Sequence, residues 1–230
     1  IGRAAVGVGE FVSDSGCGRV EILRQGEGHP NVVGVLLGAG SEAQTLLLYA
    51  HHDVQPPGRQ THLLSPAFEP TRRAGEGEAG RLYGRGVVDD KAGVIVFAGA
   101  LRAWLENGTP PPVNLKIVVE GEEEIGSGHL AEFLRAHHDR LQADVLVLSD
   151  TANFATGLPS ITTSLRGMVI VDVRVRALDH PIHSGMWGGP VPDAATSLSR
   201  ILARLFDENG EVAIPGFESD LTPPSEGARA

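Results

Sequence analysis

The chain has 230 residues, of which 41% are hydrophobic and 21% charged, as is typical of a globular protein. Its formal net charge of -10 argues against nucleic acid or an anionic membrane surface as a partner. Cys17 is the only cysteine, so the sequence predicts neither disulfides nor a thiolate zinc site, and we expect a reducing, cytoplasmic location. We expect no signal peptide and no membrane span.

Strands and helices alternate along the first part of the chain. Apolar runs predict strands over residues 31–37, 45–51, 113–120 and 144–148, and helices over 92–105 and about 128–138. Short alternating runs predict strands and turns over 5–24, whereas proline and glycine predict a loop over 55–80. This alternation predicts an α/β fold with a site along one edge of the sheet.

The pattern changes after Asp150. Residues 168–175 alternate strictly between valine and other residues, which predicts a half-buried strand of an antiparallel sheet. A helix is predicted over about 193–206. We therefore place a domain boundary near Thr163, between a first domain of residues 1–162 and a second of 163–230.

Chemically active side chains follow the predicted strands. The strand at 45–51 delivers His51 and, two residues later, Asp53 to its carboxyl end, so both leave on the same side and one can orient the other. Acids lie at the ends of neighbouring elements: Asp89, Asp90, Glu122, Glu123, Glu124 and Asp150. Imidazole and carboxylate suit divalent metals, and a carboxylate that is not a ligand can serve as general base.

The alternative for each of these residues is structural. A histidine at a strand end is more often hydrogen-bonded than a ligand, and a run of acids is usually a solvated face. We keep the solvated interpretation for Glu122, and we assign His52 to packing or to the neighbourhood of the substrate.

Five segments in this order resemble the motifs of the dinuclear zinc peptidases. They are residues 49–56, 84–91, 120–127, 148–150 and 183–189, and they extend over nearly the whole chain. The family includes carnosinase-type dipeptidases, glutamate carboxypeptidase, aminoacylase and succinyl-diaminopimelate desuccinylase. The resemblance implies a catalytic domain with a phosphorylase/hydrolase-like mixed sheet and helices on both faces, followed by the start of a smaller α+β lid domain.

By motif position, the resemblance implies a metal site. His51, Glu124 and Asp150 would be ligands, and Asp89 would bridge two metal ions. The ions would be two Zn²⁺, with Co²⁺ or Mn²⁺ as alternatives. The family also implies a cis peptide between Asp89 and Asp90.

The resemblance implies three catalytic roles as well. Glu123 would be the general base and acid, and Asp53 would orient the histidine ligand. His183 would polarise the substrate carbonyl, often across a dimer. We therefore expect a homodimer formed through the lid.

The implied function is metal-dependent hydrolysis of a peptide or amide bond in a small substrate. The sequences at residues 53–57 and 186–189 favour the dipeptidase branch of the family. Three alternatives stay open: an N-acyl amino-acid deacylase, a binding or assembly module, and an inactive fragment. The last arises because the chain stops within the lid, before the final metal-ligand histidine of the family.

Overall fold

The computed structural model describes residues 1–59, 63–75, 77–155, 157–162 and 164–222. The chain divides into two compact units, Ile1–Thr163 and Ser164–Ala230. The predicted boundary residue, Thr163, lies outside the described residues. None of the helices among the described residues is both long enough and apolar enough to cross a membrane.

A five-stranded mixed sheet forms the centre of the first unit. Its strands are β1 (Arg19–Leu23), β2 (Asn31–Leu36), β3 (Thr45–His51), β6 (Asn114–Glu120) and β7 (Val145–Leu148), and their spatial order is β1-β2-β6-β3-β7. Strand β3 lies parallel to both β6 and β7, whereas β2 pairs antiparallel with β1 and β6. The three parallel strands therefore end at the same edge of the sheet.

Helices cover both faces of this sheet. Helix α1 (Gly2–Asp14) and helix α2 (Lys91–Glu106) bury apolar side chains against one face, where Phe97 and Leu101 pack with Ile117 and Val119. Helix α3 (Leu130–Ala136) and helix α4 (His138–Leu141) cover the other face, where Phe133 is fully buried. The predicted α/β fold with a mixed sheet between two layers of helices is confirmed.

Helix α1 lies where the sequence predicted strands and turns. Its buried residues are Ala5, Val8, Gly9 and Val12, which follow the i, i+3, i+4, i+7 spacing of one helical face. Val6 and Val8 suggested the alternation of a strand, but Val6 is exposed and only Val8 faces the sheet. The prediction was wrong over α1 because the helical period is carried partly by alanine and glycine, whereas β1 confirms a strand in the rest of the same stretch.

A two-stranded hairpin occupies part of the predicted loop. Strand β4 (Thr71–Gly75) pairs antiparallel with β5 (Gly77–Tyr83), and the guanidinium of Arg73 lies 4.4 Å from the centre of the Tyr83 ring. The hairpin forms a sheet of its own, so its strands lack the apolar alternation that a core strand shows.

The described part of the second unit is mostly irregular, with two short helices. It contains α5 (Ser184–Trp187) and α6 (Ala194–Ala203), and the carboxylate of Asp193 caps α6 by accepting the Thr196 amide at 2.7 Å. The strand predicted over 168–175 is absent, since no strand occurs within residues 164–222. Val169, Val171 and Val173 are exposed, and Val175 is half-buried. Alternation gives a strand only where a neighbouring strand pairs with the backbone, and residues 164–222 provide none for this stretch.

Candidate active site

The ends of the three parallel strands bring the candidate residues of the first unit together. Strand β3 ends at His51, which pairs in register with Glu120 at the end of β6. Asp150 follows two residues after the last residue of β7. Ligand sites in α/β sheets lie at such carboxyl edges, so the topology alone concentrates functional groups here.

His51 lies at the centre of this cluster and is fully buried. Its Nε2 lies 2.8 Å from Oδ1 of Asp89 and 3.8 Å from carboxylate oxygens of both Glu123 and Asp150. Its Nδ1 lies 3.2 Å from the main-chain oxygen of Asp53 and 3.3 Å from Oδ1 of the same residue. A proton on Nδ1 is donated to the Asp53 main-chain oxygen and leaves Nε2 as the nitrogen that can bind a metal.

Asp53 also connects His51 to the turn that carries the other candidate acids. Its Oδ2 accepts the backbone amide of Glu124 at 3.0 Å. Gln55 donates its backbone amide at 3.3 Å and its side-chain amide at 2.9 Å to the Glu124 carboxylate. The motif after β3 therefore holds Glu124 through both its backbone and its side chain.

Asp89 and Asp90 precede α2 and differ in their surroundings. The peptide bond between them is cis, as the resemblance implied. Asp90 is buried, accepts the His51 amide at 3.2 Å through Oδ2, and caps α2 by accepting the Gly93 amide at 3.2 Å. The Asp89 side chain is 66% exposed. The Asp90 carboxylate is therefore bound to backbone amides, whereas the Asp89 carboxylate beside His51 is accessible.

Sequence alone did not predict that Asp90 belongs to the same cluster of donor atoms. Each of His51, Asp90 and Asp150 offers one donor atom, and these three atoms lie within 4.8 Å of one another. Asp90 was among the acids considered but was not assigned as a ligand. Its position in the Asp-Asp pair gave no signal to decide which carboxylate faces the site.

The crowded acids perturb one another. Burial favours the neutral form of His51, but the hydrogen bonds to Asp53 and Asp89 and the charge of Asp150 outweigh it and raise the pKa of His51 to about 9. Burial and the charge of Asp150 raise the pKa of Glu123, although the charge of His51 opposes this shift. Burial likewise raises the pKa of Asp150, and it raises the pKa of Asp90 to about 6.

These donors fit a divalent cation. Zinc and similar ions take one or more imidazole nitrogens together with carboxylate oxygens, which are the groups gathered around His51. Burial and, to a smaller extent, the charges of neighbouring carboxylates raise the pKa values of Asp90, Glu123 and Asp150, and a bound cation would stabilise their ionised forms. Which residues bind the metal, and how many ions they hold, remain predictions.

Glu122 corrects an expectation from the sequence. It was predicted to lie on a solvated face, but its side chain is 8% exposed. Its carboxylate accepts the backbone amides of His29 at 2.9 Å and His129 at 3.2 Å, and the Nδ1–H of His129 at 3.0 Å. Burial raises the pKa of Glu122, but these hydrogen bonds outweigh it and lower the value overall. No local pattern in the glutamate run distinguishes this buried residue.

A second buried acid lies behind the site. The hydroxyl of Tyr49 donates to Oε2 of Glu120 at 2.6 Å, and the Oε1 atom of Glu120 is buried without a hydrogen-bond partner. His52 points away from this pair and donates Nε2–H to the Pro30 carbonyl at 2.8 Å. The packing role predicted for His52 agrees with this position.

His183 belongs to the second unit. It is the residue before α5, with extended backbone, and its carbonyl accepts the amides of Met186 and Trp187 at 3.2 and 3.1 Å. Its predicted catalytic role remains a prediction.

The chain is similar to curated proteins that are named as dipeptidases. A cysteinylglycine-S-conjugate dipeptidase of Corynebacterium striatum is 40% identical over 189 residues, which are 82% of this chain and 40% of that protein. A human Beta-Ala-His dipeptidase is 33% identical over 86% of this chain and 38% of its own length. The chain thus spans about two fifths of the length of these curated relatives.

Solved structures and a family model agree with these similarities. An M20 family metallo-carboxypeptidase, Sso-CP2 from Sulfolobus solfataricus, matches all of this chain and 50% of its own chain, with a TM-score of 0.76 and 26% identity. The model of peptidase family M20/M25/M40 matches residues 47–219. This match extends over most of the chain and includes all seven residues predicted for the site. The chain therefore belongs to peptidase family M20/M25/M40, a family of dinuclear zinc metallopeptidases, as its motifs indicated.

Proposed function

We propose that the protein hydrolyses the peptide bond of dipeptides by metal-dependent catalysis. The observation that carries this proposal is the position of Glu123, whose Oε2 lies 3.8 Å from Nε2 of His51, beside a group of side chains that could hold a metal ion. A carboxylate there is close to the metal-binding groups while its own side chain stays accessible to water. The dipeptidase names of the two curated relatives favour dipeptides as the substrate class.

The residues of the first unit would have two roles, metal binding and proton transfer. His51, Asp89, Glu124 and Asp150 would hold the metal, and a bound divalent cation polarises a carbonyl and lowers the pKa of water. Glu123 takes the proton from the attacking water and then delivers it to the leaving amine. Burial raises the pKa of Glu123, which makes its carboxylate a stronger base for the proton of the water than an exposed glutamate.

Several finer points belong to the same proposal. We take the metal to be two Zn²⁺ ions per site, with Co²⁺ or Mn²⁺ as substitutes. The second unit would mediate a homodimer, and His183 would contribute to stabilising the developing oxyanion. The family resemblance supports these assignments, and exposed apolar side chains in the second unit, such as Met186 and Trp187, are consistent with a contact surface. The cytoplasmic location rests on the single cysteine.

The test compares Glu123→Ala with Glu106→Ala, a control at an exposed glutamate of α2 paired with Arg102. Hydrolysis of Cys-Gly and β-Ala-His and the metal content are measured on the same purified samples. We expect Glu123→Ala to abolish turnover and to retain its metal, whereas the control retains both. Loss of metal together with activity would contradict the general-base role. Turnover of an N-acetyl amino acid in place of both dipeptides would favour the deacylase alternative.

A further inference from the structure

A buried carboxylate, that of Glu122, lies beside the turn that carries Glu123 and Glu124. The Glu122 carboxylate receives three N–H donors from two separate segments: the amide of His29, before β2, and the amide and ring of His129, before α3. The His129 ring also packs against Gly28, where a Cβ atom would lie 2.9 Å from the ring Cγ. This carboxylate thus ties the start of α3 to the loop between β1 and β2.

The backbone of Glu122 closes the same turn. Its carbonyl accepts the amides of Ile125 at 3.2 Å and Ser127 at 2.8 Å, around the 3-10 turn Glu123–Ile125. Ser127 has a φ of 52°, a left-handed conformation that is unfavourable for a residue with a side chain. The bond to the Glu122 carbonyl holds Ser127 in that conformation, so one residue fixes the turn through both its side chain and its backbone.

Glu123 is therefore held from both sides. On one side Glu122 is fixed by His29 and His129, and on the other Glu124 is fixed by Asp53 and Gln55. The Glu123 side chain itself is 38% exposed. The hydrogen bonds of its two neighbours in sequence therefore hold its backbone, while its side chain approaches His51 at 3.8 Å.

We propose that Glu122 and His129 form a clamp that positions Glu123 for proton transfer and Glu124 for metal binding. This inference rests on the proposed function, because it concerns the same turn. Both are positioning residues, since they touch the backbone around the turn and act through the two glutamates. A displacement of about 1 Å in a reacting group can lower a rate by about 100-fold, so a modest relaxation of the turn has a measurable effect.

Two substitutions separate the hydrogen bond from the presence of a ring. His129→Phe keeps a ring and removes the Nδ1 donor, whereas His129→Asn places an amide N–H close to the position of Nδ1. The His129 side chain is 41% exposed, so neither change opens the core. His138→Phe is the control, because His138 lies beside Asp139 in an exposed pair at the start of α4.

The experiment uses the full-length protein and three measurements. Dipeptide hydrolysis gives kcat and KM, hydrogen exchange follows the amides of Ile125 and Ser127, and the absorption spectrum of Co²⁺-loaded protein reports the metal geometry. For His129→Phe we expect kcat to fall about 10- to 100-fold with KM within about twofold, because the lost contact serves positioning rather than substrate binding. We also expect faster exchange and an altered spectrum, and His129→Asn should restore all three toward wild type.

Each outcome decides the inference. Values for His129→Phe equal to those of His138→Phe in all three measurements would overturn the clamp, and so would equal losses in His129→Asn and His129→Phe. If His129→Phe does not fold, Glu122→Gln replaces it with the same expectations. If the wild-type protein hydrolyses no dipeptide, the proposed function fails, and the exchange and Co²⁺ measurements still decide whether the clamp exists.

Discussion

Replacement of Tyr49 by phenylalanine tests the buried pair behind the site. Glu120 is 1% exposed, and among the described residues its carboxylate accepts a single hydrogen bond, from the Tyr49 hydroxyl at 2.6 Å. This distance lies in the short range of charge-assisted O–H···O bonds. Burial, the hydrogen bond to Glu120 and the charges of Glu123 and Asp150 all raise the pKa of Tyr49, so its hydroxyl keeps the proton that it donates. Tyr49→Phe therefore leaves a buried carboxylate without a donor.

The magnitude follows from the loss of that donor. Hydrogen bonds to charged groups contribute about 1.5–3 kcal/mol, and an unpaired buried acid costs more, so we expect Tyr49→Phe to lower the free energy of unfolding by about 3 kcal/mol. In a Glu120→Gln background the carboxylate charge is absent, and the same substitution should cost about 1 kcal/mol. The coupling energy of the cycle is then about 2 kcal/mol.

The assay is urea unfolding in the presence of a chelator, so that metal binding does not contribute to the measured stability. The other tyrosine of the chain provides the control. Tyr83 is 39% exposed, and Tyr83→Phe should change the free energy of unfolding by less than about 0.5 kcal/mol. The reasoning is refuted if Tyr49→Phe costs no more than Tyr83→Phe, or if its cost is the same with glutamate and glutamine at position 120.

Two further predictions concern the site and the core. Asp53→Asn should weaken Zn²⁺ binding about 10- to 100-fold in calorimetric titration, because the carboxylate that faces Nδ1 of His51 is lost, and an unchanged affinity would contradict an orienting role. Phe133→Ala should lower the free energy of unfolding by about 3–5 kcal/mol, because it empties a fully buried position between α3 and the sheet. Leu64→Ala, at an exposed position, should change stability by less than about 0.5 kcal/mol, and a similar loss in both variants would show that burial is not the cause.

The central sheet was predictable because its signals are local. Strand β3 has the bounds that its apolar run predicted, and α2 extends the predicted helix by one residue at each end. Strong apolar runs between polar turns specify such elements without information from elsewhere in the chain. Proximity of the site residues in the first unit then follows from parallel strands that end at one edge.

The features that sequence alone missed depend on distant partners. Glu122 accepts from His29, 93 positions away in the chain, and Glu120 accepts from Tyr49, 71 positions away. A glutamate bound in this way looks the same in sequence as one on a solvated face. The strand predicted over 168–175 failed for the opposite reason, because its local pattern was strong and the described part of its unit provides no pairing strand.

The site combines two kinds of support, and they predict different responses to mutation. His51 is the last residue of β3 and pairs in register with Glu120 of β6, so its backbone is held by the sheet together with Asp90, whose Oδ2 accepts its amide. Glu123 lies in a 3-10 turn whose position depends on side-chain acceptors at Glu122 and Asp53. Substitutions around the histidine should therefore act mainly on metal affinity, whereas loss of either acceptor should move the general base. We therefore expect catalysis to be most sensitive to substitution in the turn after β6, where side-chain hydrogen bonds rather than strand pairing hold the backbone.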